Sequence, residues 1–109
     1  MQNIDLSKIQ VEIKSSQALL LYYYSDRCAP CVSLRPKVQA LITDDFPEIK
    51  TLFINSDLYP EITAHFGIFS NPTILLFFEG REFQRWSKYV SIAQISEAIE
   101  RPYSMLFEA

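Results

Sequence analysis

The chain reads as an α/β domain in which a central mixed four-stranded sheet is flanked by helices. Three observations predict this. Apolar runs of strand length at 18–24, 51–56 and 73–78 alternate with segments whose apolar residues recur every three to four positions. The third run leads through Glu79-Gly80 directly into another strand-like stretch, a hairpin signal. Finally, Cys28-Ala29-Pro30-Cys31 stands where the first apolar run gives way to a helical pattern.

The elements follow in order. Asn3 or Asp5 can cap a first helix whose apolar face is Leu6, Ile9 and Ile13. The continuous apolar run at 18–24 suits a strand buried on both faces. A helix then runs from Cys28 to about Thr43, carrying Leu34, Val38, Leu41 and Ile42 at helical spacing; Pro36 inside it removes one internal hydrogen bond and predicts a kink. Residues 51–56, centred on Leu52-Phe53-Ile54, form the second strand. Asp57 is expected to cap a short helix with Pro60 in its first turn and Leu58, Ile62 and Phe66 on one face, closed by Gly67. Residues 73–78 are the third strand, and a fourth spans about 82–89, where Arg81, Arg85 and Lys88 suit a sheet edge. Ser91 and Gln94 form a capping box for a last helix carrying Ile92, Ile95 and Ile99, which Pro102 is expected to end. The strands separated by helices are expected to be parallel and central, and the hairpin strand antiparallel at one edge. Gly67 and Gly80 fall where a helix end and a hairpin need a positive φ.

Residues 1–109 make one domain, with an apolar tail at about 102–109 (Tyr103, Met105, Leu106, Phe107) expected to fold back onto the sheet, because an exposed apolar patch is a liability. A chain that is 49% hydrophobic can build a core without disulfide scaffolding. The net charge of -3 excludes a general nucleic-acid role; Arg27, Arg35 and Lys37 form a local cluster of cations, not a basic stripe that could neutralise phosphates. The first apolar run is too short to span a bilayer, and residues 1–17 are polar-amphipathic and do not resemble a secretion signal. The expectation is a protein with no membrane association, in the cytoplasm, where thiols stay reduced.

Cys28 and Cys31 are the only cysteines. Counting back three residues from Leu34 puts Cys31 on the buried face of its helix, and leaves Cys28 at the N-terminal edge. There the unpaired backbone N–H groups and the helix dipole favour a thiolate at Cys28, and a second thiol one turn away can resolve the mixed disulfide that Cys28 forms. Two other readings stand beside this one. Half of a zinc or iron–sulfur site would need further ligands, and only His65 is at hand beyond carboxylates. A purely structural disulfide would close so short a loop that it would add little stability. In a strand–helix context the spacing favours a dithiol that cycles between reduced and oxidised forms.

Over about residues 4–101 the chain resembles the thioredoxin family, without the N-terminal strand many members have. The resemblance rests on Cys28-Ala29-Pro30-Cys31, on Pro36 five residues after the second cysteine, on Asn55 and Asp57 after the second strand, on Phe66-Gly67-Ile68, on Asn71-Pro72-Thr73 and on Gly80 in the hairpin. It implies a thioredoxin-like fold and a thiol–disulfide oxidoreductase acting on protein disulfides, with Cys28 attacking and Cys31 resolving. It further implies no cofactor, no metal, and an electron-donating reductase as partner. Pro72 should be cis and should face the dithiol. Since a proline cannot donate to a ladder, the backbone of Asn71 beside it is free to hold an extended substrate segment, with Arg27 and Pro30 on the rim of the same site.

The departures from the family pattern concern proton handling and the rim. Arg27 stands where the family usually has Trp. Tyr22 and Phe53 occupy the positions of a buried Asp and its companion Lys, so no buried carboxylate is placed to take the Cys31 proton. Apolar surroundings should then keep Cys31 a thiol, making disulfide reduction slow near neutrality and faster in alkali. Asn71 replaces an apolar residue, and Lys88-Tyr89 occupy a loop that usually holds glycine. These losses favour a rival reading, a thioredoxin-fold binding or redox-sensing module with little turnover; the intact C-x-P-C and Asn71-Pro72 favour the enzyme. His65 is read as a surface or half-buried side chain, Tyr22, Tyr23 and Tyr24 as strand packing, with Tyr24 where the family has an aromatic beneath the active site, and Asp44-Asp45 as a solvated helix end.

Overall fold

The computed structural model describes residues 4–108. In chain order these are α1 (Leu6–Ser15), β1 (Ala18–Tyr24), α2 (Ala29–Asp45), β2 (Lys50–Asn55), α3 (Pro60–His65), β3 (Thr73–Phe78), β4 (Arg81–Ser87) and α4 (Ile92–Phe107). The strands form a single mixed sheet in the order β2-β1-β3-β4.

β1 runs parallel to β2, but β3 is antiparallel to β1, and β2 lies at an edge. The expectation that helix-separated strands would be parallel and central therefore fails for β3 and for the place of β2. α3 is short beside the strand that a parallel return would have to run along. Six residues of helix rise only about 9 Å, against about 20 Å for a six-residue strand. The chain instead crosses over β1 and enters β3 at the end where β2 stopped: Asn55 pairs with Tyr24, and Thr73 pairs with Tyr23. β4 then returns antiparallel along β3 at the far edge, through a turn in which Glu79 (φ 51) and Gly80 (φ 82) both take the left-handed conformation of a tight hairpin.

β1 is buried along almost its whole length because helices cover both faces of the sheet. Its side chains alternate between two cores. Ala18, Leu20 and Tyr22 meet Val38, Leu41 and Ile42 of α2, Ile74 and Leu76 of β3, and Ile95, Ile99 and Tyr103 of α4. Leu19, Leu21 and Tyr23 meet Ile9 and Ile13 of α1, Ile62 of α3, and Leu75 and Phe77 of β3.

The helix ends show which local signals the fold uses. Asp5 caps α1, its Oδ1 accepting from the Ser7 hydroxyl at 2.7 Å and the Lys8 N–H at 2.9 Å, and these bonds hold its carboxyl below the usual range. Asn3 lies outside the described residues. α3 begins at Pro60 with Tyr59 as its N-cap, not Asp57, and Leu58 is 68% exposed and does not join the apolar face. Asp57 is diverted: its Oδ2 accepts from the Ser25 hydroxyl at 2.6 Å. The capping box of Ser91 and Gln94 is formed at the start of α4.

Pro102 does not end α4, which continues through it to Phe107. An interior proline costs roughly 3 kcal/mol. Beyond it, however, Tyr103 is buried against Phe46 (5.1 Å between centroids) and Phe107 (4.8 Å), and its hydroxyl oxygen accepts from the Glu48 N–H at 3.1 Å. Burial of large apolar side chains at about 1.5–3 kcal/mol each offsets the lost helix bond.

Candidate active site

The site forms where β1 runs out and α2 starts. Tyr24 ends the strand, Ser25 is buried, and the next residues turn outward until Cys28 caps α2. Cys28 holds that position through two backbone bonds and its own sulfur. Its N–H donates to the Ser25 carbonyl at 3.1 Å, its carbonyl accepts from Val32 at 3.4 Å, and its Sγ accepts from the Cys31 N–H at 3.2 Å. Pro30, exposed in the first helical turn, needs no N–H partner there. Cys28 and Cys31 are joined by a disulfide, with Cα atoms 5.3 Å apart. Cys28 is half-buried and Cys31 only 2% exposed, so an incoming sulfur can reach the first and not the second.

Beneath the pair, Tyr22 donates its hydroxyl to the Cys31 carbonyl at 3.0 Å and sets its ring 5.6 Å from that of Phe53. Burial pushes the Tyr22 hydroxyl up to about 12, with the Arg35 charge opposing the rise. Tyr22 is thus a neutral donor near pH 7 and cannot take a proton from Cys31. The surroundings are nonetheless less apolar than Tyr22 and Phe53 alone would make them. Arg35 lays its guanidinium 4.0 Å from the Phe53 ring centroid and 5.0 Å from that of Tyr24. A cleft of about 140 Å³ opens here, lined by Tyr24, Ser25, Asp26, Cys31, Val32 and Arg35.

Around the rim, the side chain of Arg27 is 88% exposed and stands 4.0 Å from Asp57 Oδ1, a pair that solvent makes weak. Its backbone N–H donates to Ser25 Oγ at 3.3 Å, so the Ser25–Asp57 bond fixes the loop in front of Cys28. Asn55 ties the next stretch, its Nδ2 donating to Asp26 Oδ2 at 3.1 Å and its Oδ1 accepting from the Asp57 N–H at 3.0 Å. The Asn71–Pro72 peptide bond is cis and Pro72 is buried. The Asn71 side chain is engaged, with its Oδ1 accepting from the Ser56 hydroxyl at 2.7 Å. Next to this loop Phe69 is 96% exposed, at the mouth of a cleft of about 420 Å³ lined by Gly67, Ser70, Thr73, Arg85, Trp86 and Ser87. Tyr89 is 85% exposed, with the Lys88 ammonium 5.1 Å from its ring centroid.

Ser25, Asp26, Arg35 and Phe69 are the site residues whose parts the sequence reading missed. For Arg35 a signal was present: it follows Cys31 by four residues, the spacing that puts two side chains on one helix face. His65 is exposed on α3, its ring edge-on to Phe66 at 4.9 Å. Asp44 and Asp45 are exposed at the end of α2. Among the described residues there is no group of three or more His, Cys, Asp or Glu placed to hold a metal ion.

Comparison with known proteins gives one consistent result. The sequence model of the family described as thioredoxin matches residues 2–101. The thioredoxin-like protein YdfQ of Bacillus subtilis is 31% identical over 100 residues, covering 92% of this chain and 88% of that protein. A thioredoxin of Porphyra purpurea is 34% identical over 79 residues, covering 72% of this chain and 74% of its own. Among solved structures, the thioredoxin of Fasciola hepatica is 27% identical, with a TM-score of 0.73 over 88% of this chain and 89% of that one.

Proposed function

The chain belongs to the thioredoxin family and is a thiol–disulfide oxidoreductase acting on protein disulfides through its C-x-x-C pair, and from that premise we propose which residue carries each step. The Cys28 thiolate attacks one sulfur of a substrate disulfide. A Cys28–substrate bond forms, the substrate bond breaks, and the other substrate sulfur leaves as a thiolate that takes a proton from solvent. The Cys31 thiolate then attacks Cys28 Sγ, forming the Cys28–Cys31 disulfide and releasing the second substrate thiolate. Two electrons pass from the dithiol to the substrate, and an electron-donating reductase or a small dithiol restores the reduced pair.

The asymmetry of the pair carries this assignment: Cys28 half-buried at a helix N-terminus, Cys31 buried one turn on. Asn71 and Pro72 hold the substrate chain. The engagement of the Asn71 side chain by Ser56 supports its backbone as the part offered to an extended segment. Arg27 and Pro30 border the approach to Cys28. A reducing compartment such as the cytoplasm suits a dithiol that must return to its reduced form.

The test is turnover of a model protein disulfide with a dithiol donor. Wild type should turn over, and Cys28→Ser should lose all activity. Turnover retained by Cys28→Ser would overturn the assignment.

A further inference from the structure

Resolution requires Cys31 to become a thiolate although it is buried, and among the described residues the carboxylate that shares its cleft is that of Asp26. The groups that face it differ in what they can contribute. Tyr22, from β1, holds the Cys31 carbonyl and is neutral near pH 7. Tyr24, at the end of the same strand, contributes a ring face to Arg35. Asp26, on the loop, lines the same cleft and accepts from Asn55 Nδ2 at 3.1 Å. Phe53, from β2, is apolar and presents its ring to Arg35. Arg27 and Asp57 stand further out on the rim and face each other. Arg35 is the cation on the same cleft wall as Cys31, one helical turn away and half-buried.

We propose that Arg35 is the electrostatic residue for resolution: seated on Phe53 and Tyr24, its guanidinium favours the thiolate of Cys31 and replaces the buried acid–base pair that Tyr22 and Phe53 exclude. Two aromatic faces fix where that charge sits. The Cys31 proton leaves to solvent through the cleft, whose lining includes the exposed Asp26 and Val32. Arg35 acts through Cys31 and touches no substrate.

The inference rests on the roles proposed above for Cys28 and Cys31, and one experiment separates the two. Reduced protein is mixed with excess 5,5′-dithiobis(2-nitrobenzoate) and release of the coloured thiol is followed with time. Attack by Cys28 releases one equivalent; attack by Cys31 on the resulting mixed disulfide releases a second. The two phases identify the two steps, and Cys31→Ser should keep only the first.

At a half-exposed site, losing the neighbouring cation should raise the midpoint of the second phase by about one pH unit, so that roughly tenfold less Cys31 is thiolate near neutrality. Each thiolate is then more nucleophilic by about threefold. Arg35→Gln should therefore run the second phase about threefold slower than wild type at pH 7 and about threefold faster above the midpoint. The two pH profiles cross, which a loosened structure alone would not produce. Arg35→Lys keeps the charge and should hold the midpoint within about half a unit of wild type. The first phase should be unchanged in both variants.

A second phase whose midpoint is the same in Arg35→Gln as in wild type overturns the inference while leaving the roles of the cysteines intact. Absence of a second phase in wild type overturns those roles. If Arg35→Gln fails to fold, a midpoint for Arg35→Lys more than one unit above wild type overturns the inference as well.

Discussion

The hydroxyl of Tyr22 donates to the carbonyl oxygen of Cys31 at 3.0 Å, tying the central strand to the helix that bears the second cysteine. Where a buried carboxylate would handle a proton, this chain has a structural tether. Tyr22→Phe should cost about 1 kcal/mol in urea unfolding of the oxidised protein, the net value of one buried hydrogen bond. No change would mean that the tether contributes nothing.

The same group sets an alkaline limit. The Tyr22 hydroxyl is raised from its ordinary 10 to about 12, chiefly by burial. Its contribution is fully present below pH 10 and is lost as pH rises from 10 towards 12, because only the unfolded state ionises readily there. Stability should fall over that window, and Tyr22→Phe should make the fall shallower. An unchanged slope in the variant would count against this origin.

Tyr23 offers the opposite case. It is fully buried on the other face of β1, and its hydroxyl has no hydrogen-bond partner among the described residues. Tyr23→Phe removes a desolvated group that has nothing to bond and should leave stability unchanged or raise it by up to about 1 kcal/mol. A loss larger than that, measured in urea, would show that the hydroxyl is satisfied after all.

The two thiols of the reduced protein should differ in reactivity. Cys28 sits half-buried at a helix N-terminus, and Cys31 is buried. Alkylation with iodoacetamide as a function of pH, read by mass spectrometry on each cysteine, should label Cys28 first at every pH up to neutrality. Preferential labelling of Cys31 at pH 7 would reverse the assignment.

Cys31→Ser should leave Cys28 able to attack and unable to be released. Disulfide-linked partners should accumulate on this variant in cells and be absent from a Cys28→Ser control. Recovery of none above that control would point to an interaction module without turnover.

What was legible in the sequence follows from how local each signal is. The bounds of β1 and β3 coincide with the apolar runs at 18–24 and 73–78, because a continuous apolar stretch between polar residues has nowhere to go but the core. The capping box at Ser91 and Gln94 needs only four consecutive residues and formed as read. The failures all turn on partners distant in sequence. Asp57 reads as a cap until Ser25, 32 residues earlier, claims its carboxylate. Pro102 reads as a stop until Phe46 and Glu48 supply what Tyr103 packs against. The direction of β3 is set by the end of the sheet at which the chain enters it, where Thr73 pairs with Tyr23 of β1. In the site, the cysteines were plain from their spacing. Arg35 was visible as a cation one turn from Cys31, but the ring that seats it belongs to β2 and enters only with the register of that strand.

The alternation along β1 gives the molecule a front and a back. α2, with Cys28, Cys31 and Arg35, covers one face; α1 and α3 cover the other, and the sheet stands between them as a wall. A surface, dye or fused protein attached through the exposed Val11 or Lys14 of α1 therefore sits on the opposite face of the sheet from α2. The oxidoreductase can be immobilised or tagged from behind while its chemistry faces outward, and the N-terminal helix is the natural handle.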